Sequence, residues 1–358
     1  MVVLPETNCI HVLSFSSKEH PGGSSILAYV MLYHNIRLIM IILRLIIKTI
    51  LGTAICGLWL SGTVSADVPQ VTTDIPATHS LVTRVMAGIG MPDLIVNQGA
   101  SPHDYSLRPS NAASLEAADL VFWINSGLTP WLEGALKTLA ADAKVIELMD
   151  TKGSTVLPYR EGTTFEAHSH EHQRDEEGHT TTQNSNATAN IDPHGWLDPD
   201  NGKTWLDVIG TELSKIDPDN ADIYFDNVTQ GKTDIDAVIS EIEATLAAFR
   251  GTDFIVYHDA YQYFEKRFDV LAAGSISLGD VSDPSPARIA EIHQKVADLD
   301  MTCVFSEPQF NPELVATVVD GAKAKARVID PLGTRLTLGV DFYLNLLRDI
   351  AQTMASCL

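Results

Sequence analysis

Pro218-Asp219-Asn220-Ala221-Asp222-Ile223-Tyr224-Phe225 opens the stretch on which the fold turns. From Pro218 to Arg250, apolar residues recur at helical spacing: Ile223, Phe225, Val228, Ile235, Val238, Ile239, Ile242, Leu246 and Phe249. Gly231 weakens the pattern locally. About 30 helical residues would run ~45 Å, enough to cross a whole domain. A helix of that length, set between two blocks of other structure, can join them.

Both blocks alternate strand and helix. Ahead of the helix, the pattern predicts strands over Val68–Thr73, Asp93–Asn97, Leu120–Ile124 and Lys144–Leu148. Helices are expected over Ser80–Ile89, Ser110–Ala118 and Pro130–Asp142. Behind it, strands are expected over Phe254–Tyr257, Val270–Ser275, Cys303–Phe305 and Ala326–Ile329. Helices are expected over Ala260–Arg267, from Pro284 or Pro286 to Leu299, over Pro312–Lys323 and over Val340–Ala355. Such alternation implies parallel strands flanked by helices. The expected architecture is therefore α/β: two lobes with parallel β-sheets, residues 67–216 and 251–358, joined by one long rigid helix over 217–250. A ligand is expected between the lobes.

Residues 1–66 read as an export segment rather than as fold. After Met40 come Arg44 and Lys48, an uncharged stretch from Thr49 to Leu60, and Val64-Ser65-Ala66. These are the basic, apolar and small-residue parts of a signal peptide, cleaved near Ala66. A membrane anchor is the competing reading, but the uncharged run is short for a span of roughly 20 residues. Residues 1–39 show no period, and Met40 is the better start.

The chain has 358 residues, with 24 Lys+Arg against 46 Asp+Glu and a formal charge of −22. That excess of acid argues against a nucleic-acid partner, which needs clustered Lys and Arg, and it favours cations. Export would remove Cys9 and Cys56 and leave Cys303 and Cys357. An even pair in an exported chain reads as one disulfide. Two free thiols or a metal pair are the alternatives, and no CxxC spacing supports the latter.

Residues 160–192 break the alternation. They hold His168, His170, His172 and His179 among seven acids and many Thr and Asn, which is the composition of a solvated loop. It could gather metal at low affinity, or be merely a solvated insertion.

Ligands of open parallel sheets sit beyond the carboxyl ends of the strands. His103 follows the strand at 93–97, His258 follows that at 254–257, and His194 stands in Asp192-Pro193-His194-Gly195-Trp196, where order resumes. Asp330 ends another strand. Three neutral imidazoles with a carboxylate or water form a tetrahedral set suited to Zn²⁺, although imidazole also accepts Cu and Ni. Asp104 and Asp259 could orient imidazoles or cap the helices that follow. His79 reads as a helix-start or core residue, His293 as a surface residue, and Glu307 as a ligand or a turn residue. A secreted zinc hydrolase would use a similar metal set, but there is no HExxH helix and no Glu evidently placed as a base.

Gly99-Ala100-Ser101-Pro102-His103-Asp104-Tyr105-Ser106-Leu107-Arg108-Pro109-Ser110, His258-Asp259-Ala260-Tyr261, Cys303-Val304-Phe305-Ser306-Glu307-Pro308-Gln309-Phe310 and Asp330-Pro331-Leu332-Gly333-Thr334 carry a specific resemblance. In that order, and over essentially the whole chain after the export segment, the sequence resembles the zinc-specific solute-binding proteins of ABC importers. These are the ZnuA-type members of the cluster A-I metal receptors. The resemblance implies a two-lobed periplasmic receptor, not an enzyme, with zinc ligands at His103, His194 and His258. It also implies a Cys303–Cys357 disulfide, a histidine-rich loop, and a membrane permease of an ABC importer as partner to a monomer. Manganese-type relatives tend to carry Glu where His258 stands, so His258 favours zinc. Some zinc members place Glu just before the first motif histidine, and Pro102 stands there instead. The fourth position then falls to Asp330, where the wider family uses a carboxylate, or to water. Zinc affinity is expected to fall as pH drops through the imidazole range near ~6.5.

Overall fold

A computed structural model describes residues 29–44, 68–160, 165, 190–277, 284–299 and 301–358. The chain divides into two units, residues 1–65 and 66–358. In the first, 29–44 are helical and exposed, and no described helix is long and apolar enough to cross a membrane. The expected cleavage near Ala66 and the loop histidines His168, His170, His172 and His179 lie outside the described residues.

The second unit begins with β1 (Val71–Thr73), α1 (Pro76–Val85), β2 (Asp93–Leu94), α2 (Pro109–Ala117), β3 (Leu120–Trp123), α3 (Leu132–Leu139) and β4 (Lys144–Glu147). The strands form one sheet in the order β2-β1-β3-β4, every pair parallel. All four residues of β3 are buried, as a strand covered on both faces must be. Helix α1 starts four residues earlier than the periodicity predicts, because Pro76 supplies a preformed first helical position.

After the insertion come α4 (Pro199–Ile216) and α5 (Ala221–Leu246). Helix α4 has no counterpart in the sequence reading, although Asp198 caps it by accepting from Asp200 N and Pro199 opens it. Helix α5 is the long connector: 26 residues, continued at each end by a 3-10 turn, 218–220 and 247–249. At 1.5 Å per residue its α-helical part spans about 39 Å. Gly231 sits on its buried stripe for a steric reason. A Cβ there would lie 2.7 Å from Arg84 Cδ and 2.9 Å from Leu206 Cδ1, so the glycine lets α1 and α4 approach α5 closely.

The second lobe runs β5 (Phe254–His258), α6 (Gln262–Phe268), β6 (Gly274–Ser277), α7 (Pro286–Asp298), β7 (Cys303–Ser306), α8 (Pro312–Val319), β8 (Lys325–Val328) and α9 (Phe342–Ala355). Its sheet order, β6-β5-β7-β8, repeats the first and is again wholly parallel. Strand β6 begins at Gly274 rather than Val270, because Asp269 adopts a left-handed turn (φ 57°) that ends α6. Helix α9 returns to pack on α5 and α1, and Cys357 beyond it is joined to Cys303 of β7 by a disulfide. In each sheet the winding reverses at the first strand, so each lobe has a crevice at its carboxyl edge where the ligands of such sheets bind.

Candidate metal centre

His258 is the last residue of β5, fully in register with the sheet. Its neighbour strand β7 pairs Phe254 with Cys303, so the chain beyond β7 brings Glu307 level with His258. Glu307 Oε1 lies 2.6 Å from His258 Nδ1. His194 enters from the other lobe, on a tight turn ahead of a 3-10 segment, Gly195–Leu197. Asp192 Oδ1 lies 2.7 Å from His194 Nδ1 and also accepts from the His194 backbone N–H at 3.0 Å. All four side chains are buried.

These two carboxylates decide the chemistry. A carboxylate accepts hydrogen bonds, so each Nδ1 carries the proton, and in the neutral ring each Nε2 is then the lone-pair nitrogen. The two Nε2 atoms face one another at 3.4 Å. Two nitrogens each about 2.0–2.1 Å from a tetrahedral zinc ion stand about 3.3–3.4 Å apart. His103 completes a triangle, its ring centre 5.7 Å from that of His194, while the His194 and His258 rings are 5.2 Å apart. The loop carrying His103 is held by the Pro102 carbonyl, which accepts from the Trp131 indole at 2.7 Å.

The three histidines line a cavity of about 20 Å³ together with Trp196, Glu307, Gln309, Phe310 and Leu332. That is room for about one water-sized occupant. Trp196 donates its indole N–H to Pro331 O across the lobe boundary at 3.1 Å. From α9, the Tyr343 hydroxyl supports the same turn by donating to Trp196 O at 2.9 Å. Among the described residues, no group of three or more His, Cys, Asp or Glu side chains is arranged as a closed metal cluster. The donors converge without yet closing on a common point.

Asp330 is placed differently from the histidines. It follows β8, but its carboxylate is engaged by its own loop: Oδ2 accepts from Thr334 N at 2.7 Å and Thr334 Oγ1 at 2.6 Å, and Oδ1 from Leu332 N at 3.2 Å. It is not among the residues lining the cavity, whose wall there is Pro331 and Leu332. Asp259 neither caps α6 nor reaches the cavity; Arg160 binds its carboxylate. Asp104 is exposed. His79 lies inside α1 with Nε2 3.1 Å from Pro92 O, and burial pushes its pKa down. His293 sits on α7 with Nε2 2.9 Å from Asp320 O, away from the cavity. Asp192 is the partner that sequence reasoning missed. Its signal was the two-residue spacing to His194 across Pro193, which lets an Asp side chain bond the backbone two residues on.

A larger opening, about 800 Å³, lies at the opposite, amino end of the second sheet, beside Asp253 and Ala273, and contains none of these donors.

The family described as "Zinc-uptake complex component A periplasmic" (ZnuA) matches residues 71–357. The high-affinity zinc uptake system protein ZnuA of Brucella abortus (strain 2308) is 41% identical over 319 residues, covering 85% of this chain and 94% of that one. The protein of the same description from Paracoccus denitrificans is 38% identical over 302 residues, covering 82% and 93%. A crystal structure of ZnuA shares the fold at a TM-score of 0.66 and 23% identity, over 81% of this chain and 99% of the other. With the match running from β1 to the disulfide cysteine after α9, the chain belongs to the ZnuA family of periplasmic zinc-uptake components.

Proposed function

We propose that this chain is the receptor of a zinc importer: it captures Zn²⁺ in the periplasm and delivers it to the membrane permease of an ABC transporter. One observation carries the reading. Two histidines from different lobes turn their Nε2 atoms toward each other at 3.4 Å, each ring held through Nδ1 by a buried carboxylate. As neutral imidazoles the two rings present facing acceptors, an arrangement that a metal cation between them satisfies. The nitrogens suit zinc, the spacing fits a tetrahedral ion, and the cavity admits little else.

His194, His258 and His103 hold the ion as neutral imidazoles. Asp192 and Glu307 do not touch it; they keep the two rings aimed, as carboxylates behind zinc histidines do. Trp196 and Phe310 close the apolar side of the cavity and keep bulk water from competing. The fourth place goes to Asp330, which must first release the Thr334 hydroxyl, or to a water molecule. The insertion's histidines, His168, His170, His172 and His179, gather zinc at low affinity beside a strongly acidic chain. The reading is of a carrier, which binds and releases without chemical change to its cargo.

Competitive titration of the purified chain with Zn²⁺, Mn²⁺, Cu²⁺ and Ni²⁺ tests the assignment. Zinc binding at nanomolar Kd or tighter is expected, without ester or CO₂ turnover. Preference for Mn²⁺, or turnover, would overturn it.

A further inference from the structure

The two ends of the histidine-rich insertion form a short stem that is fastened to the second lobe. Pro158 and Ile191 make an antiparallel bridge. Beside it, Tyr159 N donates to Asn190 O at 3.2 Å and Asp192 N to Leu157 O at 2.9 Å. The stem is tied to the first lobe by Asn201 of α4, whose side chain accepts from Thr155 N at 2.7 Å and donates to Thr155 O and Gly195 O at 3.0 Å. Its far side rests on α6. The Tyr263 hydroxyl accepts from Leu157 N at 2.9 Å and donates to Asp192 O at 2.8 Å. Gln262 donates to Pro158 O at 3.0 Å.

Arg160 completes the fastening. Its Nε donates to both oxygens of Asp259 at 2.9 Å, and Nη1 and Nη2 donate to the two oxygens of Glu265 at 2.7 and 3.1 Å. Phe165 covers the guanidinium, 3.6 Å from its ring centre, and is itself anchored by its N–H on Ala273 O at 3.0 Å. Asp259 is 8% exposed and Glu265 is fully buried. A planar fork that satisfies two buried carboxylates at once fixes both in position as well as in charge, which a lysine cannot reproduce.

Asp259 directly follows His258, in a turn closed by Ala260 N donating to His258 O at 2.9 Å. Asp192, on the other strand of the stem, holds His194. We propose that Arg160 is a positioning residue for zinc capture: by binding Asp259 and Glu265 it locks the stem to the β5–α6 turn and so sets the distance between His194 and His258. This rests on the zinc reading above. The two ligands come from different lobes, and their spacing is fixed by whatever ties the lobes together at that level. Arg160 does so from outside the cavity, touching neither the ion nor a ligand.

The test compares the wild-type chain with Arg160→Lys, which keeps a cation but not the fork. Zinc release into excess chelator is followed by stopped flow, and the visible spectrum of the cobalt(II)-loaded protein reports ligand geometry. Release in Arg160→Lys should be about ten-fold faster or more, the scale of effect for groups acting behind metal ligands, and the cobalt spectrum should shift. A folded Arg160→Lys with wild-type release and an unshifted cobalt spectrum overturns the proposal while leaving the zinc reading intact. A wild-type chain that binds no zinc overturns both. If Arg160→Lys does not fold, Asp259→Asn carries the same test, with the same acceleration expected and unchanged release counting against the clamp.

Discussion

Glu307 Oε1 stands 2.6 Å from Nδ1 of His258, although the two residues are 49 apart in the chain. The parallel register of β5 and β7 is what brings them level, since Phe254 opposite Cys303 places the residues four further along beside each other. The carboxyl end of one sheet thus supplies both a proposed metal donor and the group that aims it.

Replacing Glu307 by Ala should therefore weaken zinc binding without touching the ion. Loss of a carboxylate behind a zinc histidine costs about 10–100-fold in affinity. Glu307→Gln keeps an acceptor for Nδ1 and should lose less. Asp192→Ala should behave like Glu307→Ala, because it acts on His194 through the same geometry. Chelator-competition titrations compare the three with wild type, and wild-type affinity in all of them would show that the rings need no orientation.

Thr334→Val probes the fourth position. The hydroxyl of Thr334 donates to Asp330 Oδ2 at 2.6 Å and competes with any metal for that oxygen. If Asp330 ligates, removing the competitor should tighten zinc binding several-fold. The Thr334 backbone N–H still holds the loop at 2.7 Å, so the turn survives the change. An affinity equal to wild type assigns the place to water.

What the sequence made legible follows from where each signal is local. The parallel lobes and the long helix were readable because buried strands such as Leu120–Trp123 and the stripe from Val228 to Leu246 repeat within their own segments. At the helix start, however, Tyr224 is buried and the expected Ile223 and Phe225 are exposed. His258 was readable because it ends a buried strand, whereas His103 and His194 stand in loops that only their motifs single out. Helix α4 was not: Pro199, Asp200, Asn201, Gly202 and Lys203 open it with polar residues and glycine, and its apolar face shows only from Trp205 onward. The roles of Asp192 and Glu307, and the engagement of Asp330 by Thr334, depend on register and loop packing, which no single segment encodes. The same holds for Asp259: its place after β5 suggested a helix cap or an imidazole partner, whereas its partner Arg160 lies 99 residues away.

Gly231→Ala tests the packing of the connecting helix. Alanine has the better helix propensity by about 1 kcal/mol, so an isolated helix would gain. Here the added Cβ would meet Arg84 Cδ at 2.7 Å and buried Leu206 at 2.9 Å. Overpacking of that kind costs about 1–3 kcal/mol. The net expectation is a loss of stability in urea unfolding with the slope unchanged; a gain would mean that α1 and α4 can move aside freely.

Asp74 gives the fold a pH dependence that is separate from the metal. It directly follows β1, where its carboxylate accepts from Ile75 N at 2.8 Å and Ile124 N at 2.7 Å. Burial nonetheless raises its pKa to about 6, because those bonds recover only part of the hydration lost. An unfolded Asp titrates near ~3.9. Between those values the folded chain holds the proton more often than the unfolded one, so stability falls as pH rises from about 4 to about 6 and levels off above. A shift of about two units corresponds to roughly 3 kcal/mol at most. Asp74→Asn cannot titrate, so its unfolding free energy should lack this component. The wild-type value minus that of the variant should decline by up to about 3 kcal/mol across the window. Urea titrations of both proteins at intervals from pH 4 to 6.5 measure that difference directly, and a constant difference would mean that Asp74 titrates alike in the folded and unfolded states.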